Sequence, residues 1–438
     1  MVSSIPDGVT QEERSHLVQV AKDWAAANGL AIRPPPTIVP QEVDPAGVLA
    51  IHAPVTLFPS KFPARASSRR DRYKRLTMTF DVDDFVASLW KVHERVKQEG
   101  YAQDLSLGLF RSDYMVHEDA SGLQIKQVEF NTIASSFGGL STQTSLLHRF
   151  LAATDAAHLA RGIAAAFRAY DAASAFASAS PPRPRCVLFV TQDGERNVFD
   201  QRHLEYNVST QEPAIPVFRL PYSEILQHTR VADGARRELV YTPPWSRTPS
   251  AEYEVAVVYY RAGYGPGDYP SQDAWEARFQ VERSAAIKCP TILTQLAGMK
   301  KVQQGLADAK SLLDTFTNIY PMDASPAGLE ARRKATDPEL CKAFVLKPQR
   351  GAAATTFTAP PSPTHHPTPA HNVILRNGNL EEGGIISELG VYGTCLWNDK
   401  EILHNEEAGY LLRTKGDKSE EGGVAAGFGC MDSVNLVN

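Results

Sequence analysis

The stretch "QVEFNT" sets Glu129 and Asn131 two residues apart, which in a strand puts both on one face. A carboxylate beside an amide oxygen offers the hard donors that Mg2+ takes. The same alternation also fits an ordinary solvent-facing strand. The "SSFGGL" that follows supplies backbone amides with little side-chain bulk, suited to cradling a carboxylate or phosphate or to making a tight turn. In "RSDYM", Arg111 and Asp113 share a strand face. A planar guanidinium there clamps a substrate carboxylate or closes a salt bridge. Lys300 of "GMKKVQQ" and Lys347 of "FVLKPQR" end separate elements and could together grip phosphates, although each alone reads as a solvated lysine. "LLRTK" carries Arg413 and Lys415 ahead of the Gly-rich "EEGGVAAGFG", whose backbone can approach a ligand closely.

A second set of polar residues follows two apolar runs. "GERNVFDQ" comes after "CVLFV" and holds Glu195 and Asn197; "YYRAGYGPG" completes "VAVVYY" and holds Arg261. Ligands bind at the carboxyl ends of strands in open α/β sheets, and two polar loops at one sheet edge can form a pocket. Carboxylate clamps, phosphate lysines and a hard-cation site together describe a ligase that activates a carboxylate with ATP.

The elements that must position these residues follow from hydrophobic period. Leu17, Val20, Ala21 and Trp24 recur at helical intervals, with Thr10 and Glu13 at capping-box spacing and Gly29 at the far end. "GVLAIHAPVTLFPS" reads as one or two short strands, and "VDDFVASLWKVHERVKQEG" as a helix. "LSLGLFRSDYMVHEDASGLQIKQVEFNT" is a hairpin around "EDASG". An Ala-rich helix then stops at the Pro-rich "SASPPRPR", a boundary near residue 180. Beyond it, "CVLFV", "NVFDQRHLEYNV", "AIPVFRL" and "VAVVYY" give strand, helix, strand, strand, a βαβ pattern with parallel strands buried on both faces. "DAWEARFQVERSAAIKC" is expected to close this unit as one helix, and strands resume from Phe344 to the end.

The chain has 438 residues, about three domains' worth at ~150 residues each. Its 43% apolar content is enough for a substantial core, and a net charge of −5 argues against a general nucleic-acid binder. The basic stretch Arg65 to Leu76 reads as an exposed face rather than a polyanion site. The five scattered cysteines show no C-x-x-C, which fits buried thiols in a reducing compartment. No signal-like N-terminus and no long apolar run is seen, so a cytoplasmic chain is expected.

"FRSDYM", "EFNTIASSFGGL", "ERNVFDQR", "YYRAGY", "KCPTILTQLAGMKKVQQ", "FVLKPQR", "SELGVYG", "LLRTK" and "EGGVAAG" occur in an order that resembles eukaryotic glutathione synthetase over almost the whole chain. The resemblance implies a mixed α/β ATP-grasp fold with an inserted parallel-sheet substrate-binding domain. It implies a homodimer that joins γ-glutamylcysteine to glycine with ATP and Mg2+. Residues 1–180 would form the N-terminal part of the body, 181–298 the substrate-binding domain and 299–438 the C-terminal part.

By the same resemblance, Glu129 and Asn131 would ligate Mg2+, with Glu129 also at the nucleotide. Arg111, the loop Ile133, Ala134, Ser135 and Ser136, then Glu195, Arg196, Asn197, Gln201, Arg261, Ala262, Gly263 and Tyr264 would hold γ-glutamylcysteine. Lys300, Lys347, Glu388, Lys415 and Glu421 would contact ATP, Arg413 would clamp a substrate carboxylate, and Val424 and Ala425 would line the product site. Arg413 and Lys347 are the expected catalytic pair.

The pattern departs slightly in the basic "SKFPARASSRRDRYKRL" and at Ala134, where the family commonly has a serine, and most after Arg350. In the family, "LKPQR" is followed by a Mg2+-ligating Glu, a glycine loop over the phosphates and a hinge strand at the adenine. Here Arg350 precedes "GAAATTFTAPPSP", and residues 352–370 carry no Asp, Glu, Lys or Arg. That composition predicts a tether. Residues 351–375 are therefore expected to form an aberrant lid, partly missing or disordered. The alternative function is a catalytically impaired chain that keeps substrate binding and dimerisation.

Overall fold

The computed structural model describes residues 2–3, 11–36, 38–63, 83–119, 122–152, 159–174, 183–195, 197–211, 213–244, 251–300, 302, 325–343, 370–376, 379–417 and 429–437. Among them, eight strands form one sheet in the order Val2–Ser3, Ala370–Arg376, Val55–Thr56, Cys430–Asp432, Ile402–Gly416, Asn379–Trp397, Ser106–Asp119 and Gly122–Asn131. Its backbone is antiparallel from Cys430–Asp432 onward. The expected hairpin is the last pair, with Arg111 opposite Asn131 and Asp113 opposite Glu129. A bulge between Asp113 and Tyr114 shifts the register there. Bulges of this kind re-aim side chains near sites.

The second sheet places Arg185–Thr191 between Val217–Pro221 and Tyr253–Tyr260, all parallel. Ile287–Cys289 adds a further parallel partner to Tyr253–Tyr260, and Leu239–Tyr241 and Thr229–Val231 continue the sheet antiparallel. Both faces of this sheet are covered. Val187, Phe189 and Val257 join a core with Leu140, Ile163 and Phe167 of the helices Gly138–Ala152 and Leu159–Ser174, and that core reaches Leu107 and Leu411 of the large sheet. Leu188, Val190 and Val258 point the other way, onto Leu89 of helix Asp84–Glu99 and Val281 of helix Gln272–Glu282. Two-sided burial explains the unbroken apolar runs that mark these strands in the sequence.

The helix Gln11–Ala27 forms as expected, and Gly29 beyond it has φ +68°. Asp83 caps the helix Asp84–Glu99, its carboxylate accepting from the Phe85 and Val86 amides.

Three expectations change. "DAWEARFQVERSAAIKC" is not one helix: it ends at Glu282, and Ile287–Cys289 is a buried strand beside Val257–Tyr259. Tertiary pairing overrides the helix-forming alanines there. The strand in "AIPVFRL" starts only at Val217. The end of the supposed tether is a strand: Ala370–Arg376 pairs with Asn379–Trp397 and with Val55–Thr56, burying Val373, Ile374 and Leu375. "EEGG" (Glu381 to Gly384) lies in that same pairing as ordinary strand. Residues 344–369, with the rest of the expected lid and the strand from Phe344, lie outside the described residues.

Candidate active site

The large sheet gathers acids and bases on one patch. Arg111 is buried, donating from Nε to Asp113 Oδ1 at 2.7 Å and from Nη2 to Oδ2 at 2.9 Å. The strand pairing sets Gly390 of "SELG" opposite Asp113. A Cβ at Gly390 would lie 2.7 Å from both Arg111 Cδ and Asp113 Oδ1, so only glycine leaves room for this pair. Arg413 comes from the next strand and donates to Glu388 Oε1 at 2.5 Å and to Asp113 Oδ2 at 3.0 Å. Lys300 reaches Glu129 Oε2 at 2.9 Å.

Carboxylate oxygens of Asp113, Glu129 and Glu388 lie within 4.8 Å of one another. Three carboxylates thus interleave with three cations. Burial works against the charge of Arg111, and Asp113 more than offsets it, holding the guanidinium well above its ordinary range. Burial also pushes the Asp113 carboxyl upward, while Arg111 pulls it back and Glu388 adds to the rise.

Asn131 donates to Asp113 Oδ2 at 3.0 Å and to Glu129 Oε1 at 3.2 Å, so its amide belongs to the same cluster. The donor set is all oxygen and closely spaced, which fits a hard divalent cation. The sequence nominated Glu129 and Asn131 for that role; the structure groups Glu129 with Asp113 and Glu388 and turns the Asn131 NH2 toward Asp113 and Glu129.

The loop Ile133–Ser136 is clamped from both sheets. Its Ser136 carbonyl accepts from Arg111 Nη1 at 3.2 Å and from the Tyr392 hydroxyl at 2.5 Å, and Ser136 Oγ accepts from Arg261 Nη2 at 3.3 Å. Ala134 (φ 50°) and Phe137 (φ 69°) adopt left-handed backbone, a strained state that persists only where surroundings impose it.

The imposing group is Asp200, which the sequence reading did not nominate. It has no solvent exposure, and its carboxylate accepts from the amides of Phe137 (3.0 Å), Gly139 (2.7 Å) and Leu140 (3.1 Å) and from Arg261 Nη1 (3.1 Å). Asp200, in the helix Val198–Ser209, thereby caps the helix Gly138–Ala152 and neutralises Arg261. A signal was present: Asp200, Leu204 and Val208 share one buried helix stripe, and an acid in such a stripe needs a partner.

Around Asp200 stand other nominated residues. Glu195 accepts from the Asn197 amide at 2.7 Å and from Gln201 Nε2, whose carbonyl oxygen accepts from Arg219 at 2.7 Å. The loop Arg261–Tyr264 is stitched by Asp268 Oδ2, which accepts from the amides of Gly263, Tyr264 and Gly265. Ser135 Oγ, Asn197 Oδ1 and Arg261 Nε are buried without a hydrogen-bond partner among the described residues, which suits groups that await a polar ligand. Lys415 lies two residues from Arg413 on the same strand face. Arg196, Lys347, Glu421, Val424 and Ala425 lie outside the described residues.

Comparison with known proteins supplies the family. The model "Eukaryotic glutathione synthase, ATP binding domain" matches residues 11–355 and 364–436, so its only break falls inside the stretch after Arg350. The chain is 34% identical to the "Glutathione synthetase large chain" of Schizosaccharomyces pombe, covering 98% of each protein. It is 33% identical to the human "Glutathione synthetase", covering 97% of each. The Schizosaccharomyces pombe alignment spans 506 positions, more than this chain's 438 residues, so that relative carries residues with no counterpart here. The apo structure of a glutathione synthetase-like effector (GSS30) from Globodera pallida shares the fold, with a TM-score of 0.67 at 20% identity over 98% of both chains. The protein belongs to the eukaryotic glutathione synthase family of ATP-grasp, ATP-dependent ligases.

Proposed function

We propose that this chain joins γ-glutamylcysteine to glycine, giving glutathione, ADP and phosphate. One observation carries the reading: Arg111 from the large sheet and Arg261 from the small sheet converge on Ser136, beside a balanced patch of three carboxylates and three cations. Such a seam can hold a charged peptide on one side and polyphosphate on the other. On this reading Ile133–Ser136, Glu195, Asn197, Gln201 and Arg261–Tyr264 bind γ-glutamylcysteine, and Arg413 holds the reacting carboxylate. Residues 181–298 act as a substrate-binding unit set into a body formed by 1–180 and 299–438. The enzyme works as a cytoplasmic homodimer. No helix among the described residues is long and apolar enough to cross a membrane.

The cysteinyl carboxylate attacks the γ-phosphorus of ATP, and ADP leaves. Glycine's amine then attacks the acyl carbon, phosphate departs, and the nitrogen gives up a proton. No enzyme nucleophile is required, so catalysis is positioning and charge neutralisation. Glu129 and Asn131 would hold Mg2+, with the carboxylates of Asp113 and Glu388 close to Glu129, and the bound ion would supply positive charge to the phosphoryl oxygens. Lys300 exchanges its Glu129 partner for a phosphate oxygen, and Lys415 and Lys347 add to that charge. The arginines keep the carboxylate in line.

A second reading is favoured by Gly351, which stands where the family carries its metal-ligating Glu, and by the break in the family match at residues 356–363. In it the chain binds γ-glutamylcysteine without productive closure over ATP. Thermal shift separates the two. Under the first reading γ-glutamylcysteine and Mg-ATP each raise the melting temperature. Stabilisation by γ-glutamylcysteine alone favours the second, and stabilisation by neither overturns both.

A further inference from the structure

The small sheet ends in a third element that no role above uses. After the strand Ile287–Cys289 and the cis Cys289–Pro290 bond, the chain forms the short helix Ile292–Ala297 and reaches Lys300. Inside that helix Gln295 is 1% exposed. Its side-chain Nε2 donates to the Gly263 carbonyl at 2.9 Å, and its backbone carbonyl accepts from Thr132 Oγ1 at 3.2 Å. One residue therefore touches both the Arg261–Tyr264 loop and the residue that opens the Ile133–Ser136 loop.

The seats on both sides are tight. Gly263 has φ +80°, and a Cβ there would stand 3.1 Å from the Tyr269 hydroxyl and 3.2 Å from Tyr222 Cε2. The loop cannot settle deeper, and its Gly263 carbonyl accepts from both Gln295 Nε2 and the Tyr269 hydroxyl (3.2 Å), so Gln295 shares in fixing its height. On the other side, a Cβ on Gly298 would stand 2.2 Å from Thr132 Oγ1, which presses the helix end against Thr132. Two residues further on, Lys300 holds Glu129.

The amide is an expensive choice for folding alone. Gln295 Oε1 is buried with no hydrogen-bond partner among the described residues. An apolar side chain of the same length would fill the space without a stranded acceptor. What the amide gains in exchange is the donor bond on Gly263.

We infer that Gln295 is a positioning residue that sets the Arg261–Tyr264 loop against Thr132–Ser136 and Lys300. The claim deepens the γ-glutamylcysteine reading of these loops and rests on it for its substrate. Two isosteric variants, Gln295→Met and Thr132→Val, each break one end of the strut, and three readouts apply: melting temperature, hydrogen exchange in peptides spanning residues 261–269, and γ-glutamylcysteine affinity by calorimetry.

Gln295→Met is expected to keep or raise the melting temperature while speeding exchange over 261–265 by about tenfold. It is expected to weaken γ-glutamylcysteine by about fivefold, the size of one net hydrogen bond. The double variant should be no worse than the worse single, because both interrupt one connection. Unchanged exchange in Gln295→Met overturns the inference, as does a lowered melting temperature with unchanged affinity. If the parent chain does not bind γ-glutamylcysteine, the substrate reading falls, while faster exchange in Gln295→Met still supports the strut.

Discussion

Asp200 shows how one side chain can organise a site it does not line. Its carboxylate loses all solvent and is repaid by three backbone amides and a guanidinium. Asp200→Asn keeps the shape and removes the charge, leaving Arg261 buried beside a neutral amide whose NH2 meets another donor. The expected cost is on the order of 3 kcal/mol in unfolding free energy, with γ-glutamylcysteine binding weakened about tenfold or more. Denaturant titration and calorimetry read the two effects. At this scale the sequence was informative where chemistry is local. Spacing put Glu129 beside Asn131 and Arg111 beside Asp113 on shared strand faces, while the metal role of the first pair came from the family resemblance. Asp200 stayed hidden because its partners are about 60 residues away in each direction, and nothing in "NVFDQ" says that it caps a different helix. The resemblance nominated Glu388 as an ATP contact but not as a neighbour of Asp113, because strand order is not written in either strand.

At the scale of elements, the strand Ile287–Cys289 carries a buried lysine. Lys288 is 4% exposed, its ammonium donating to the Ser284 carbonyl at 2.9 Å. Burial pulls its pKa down to about 8, with Glu282 opposing. The unfolded chain therefore holds this proton more tightly than the folded one between about pH 8 and its ordinary value near 10.4. The lysine's cost is fully present below that window and fades as pH rises through it. Lys288→Met should be the more stable form at pH 7, with an advantage on the order of 2 kcal/mol that shrinks toward pH 10. The difference between the two proteins is the quantity to follow, because burial also raises Cys186 and Cys289 and makes the folded state of both proteins lose stability in alkali. A constant difference from pH 7 to 10 would show that Lys288 does not titrate differently on folding. The same strand explains a misreading: "SAAIKC" has good helix formers, and only pairing with Val257–Tyr259 makes it extended. The runs "CVLFV" and "VAVVYY" were legible because burial on both faces leaves no polar residue to interrupt them.

At the scale of the molecule, the proposed site depends on two sheets meeting over one loop. The family could be read from motif order before any contact was known. The large sheet could not be read, since it joins strands from both termini to the central hairpin. The departure after Arg350 bears on this scale as well: a ligase of this type needs its phosphates covered, and the family match breaks at residues 356–363. ADP release by the purified full chain tests ligase activity most directly, with ATP, Mg2+, γ-glutamylcysteine and glycine each omitted in turn. Release that requires all four is the predicted result. No release from the complete mixture, while γ-glutamylcysteine still binds, would contradict it and leave a substrate-binding protein without ligase activity.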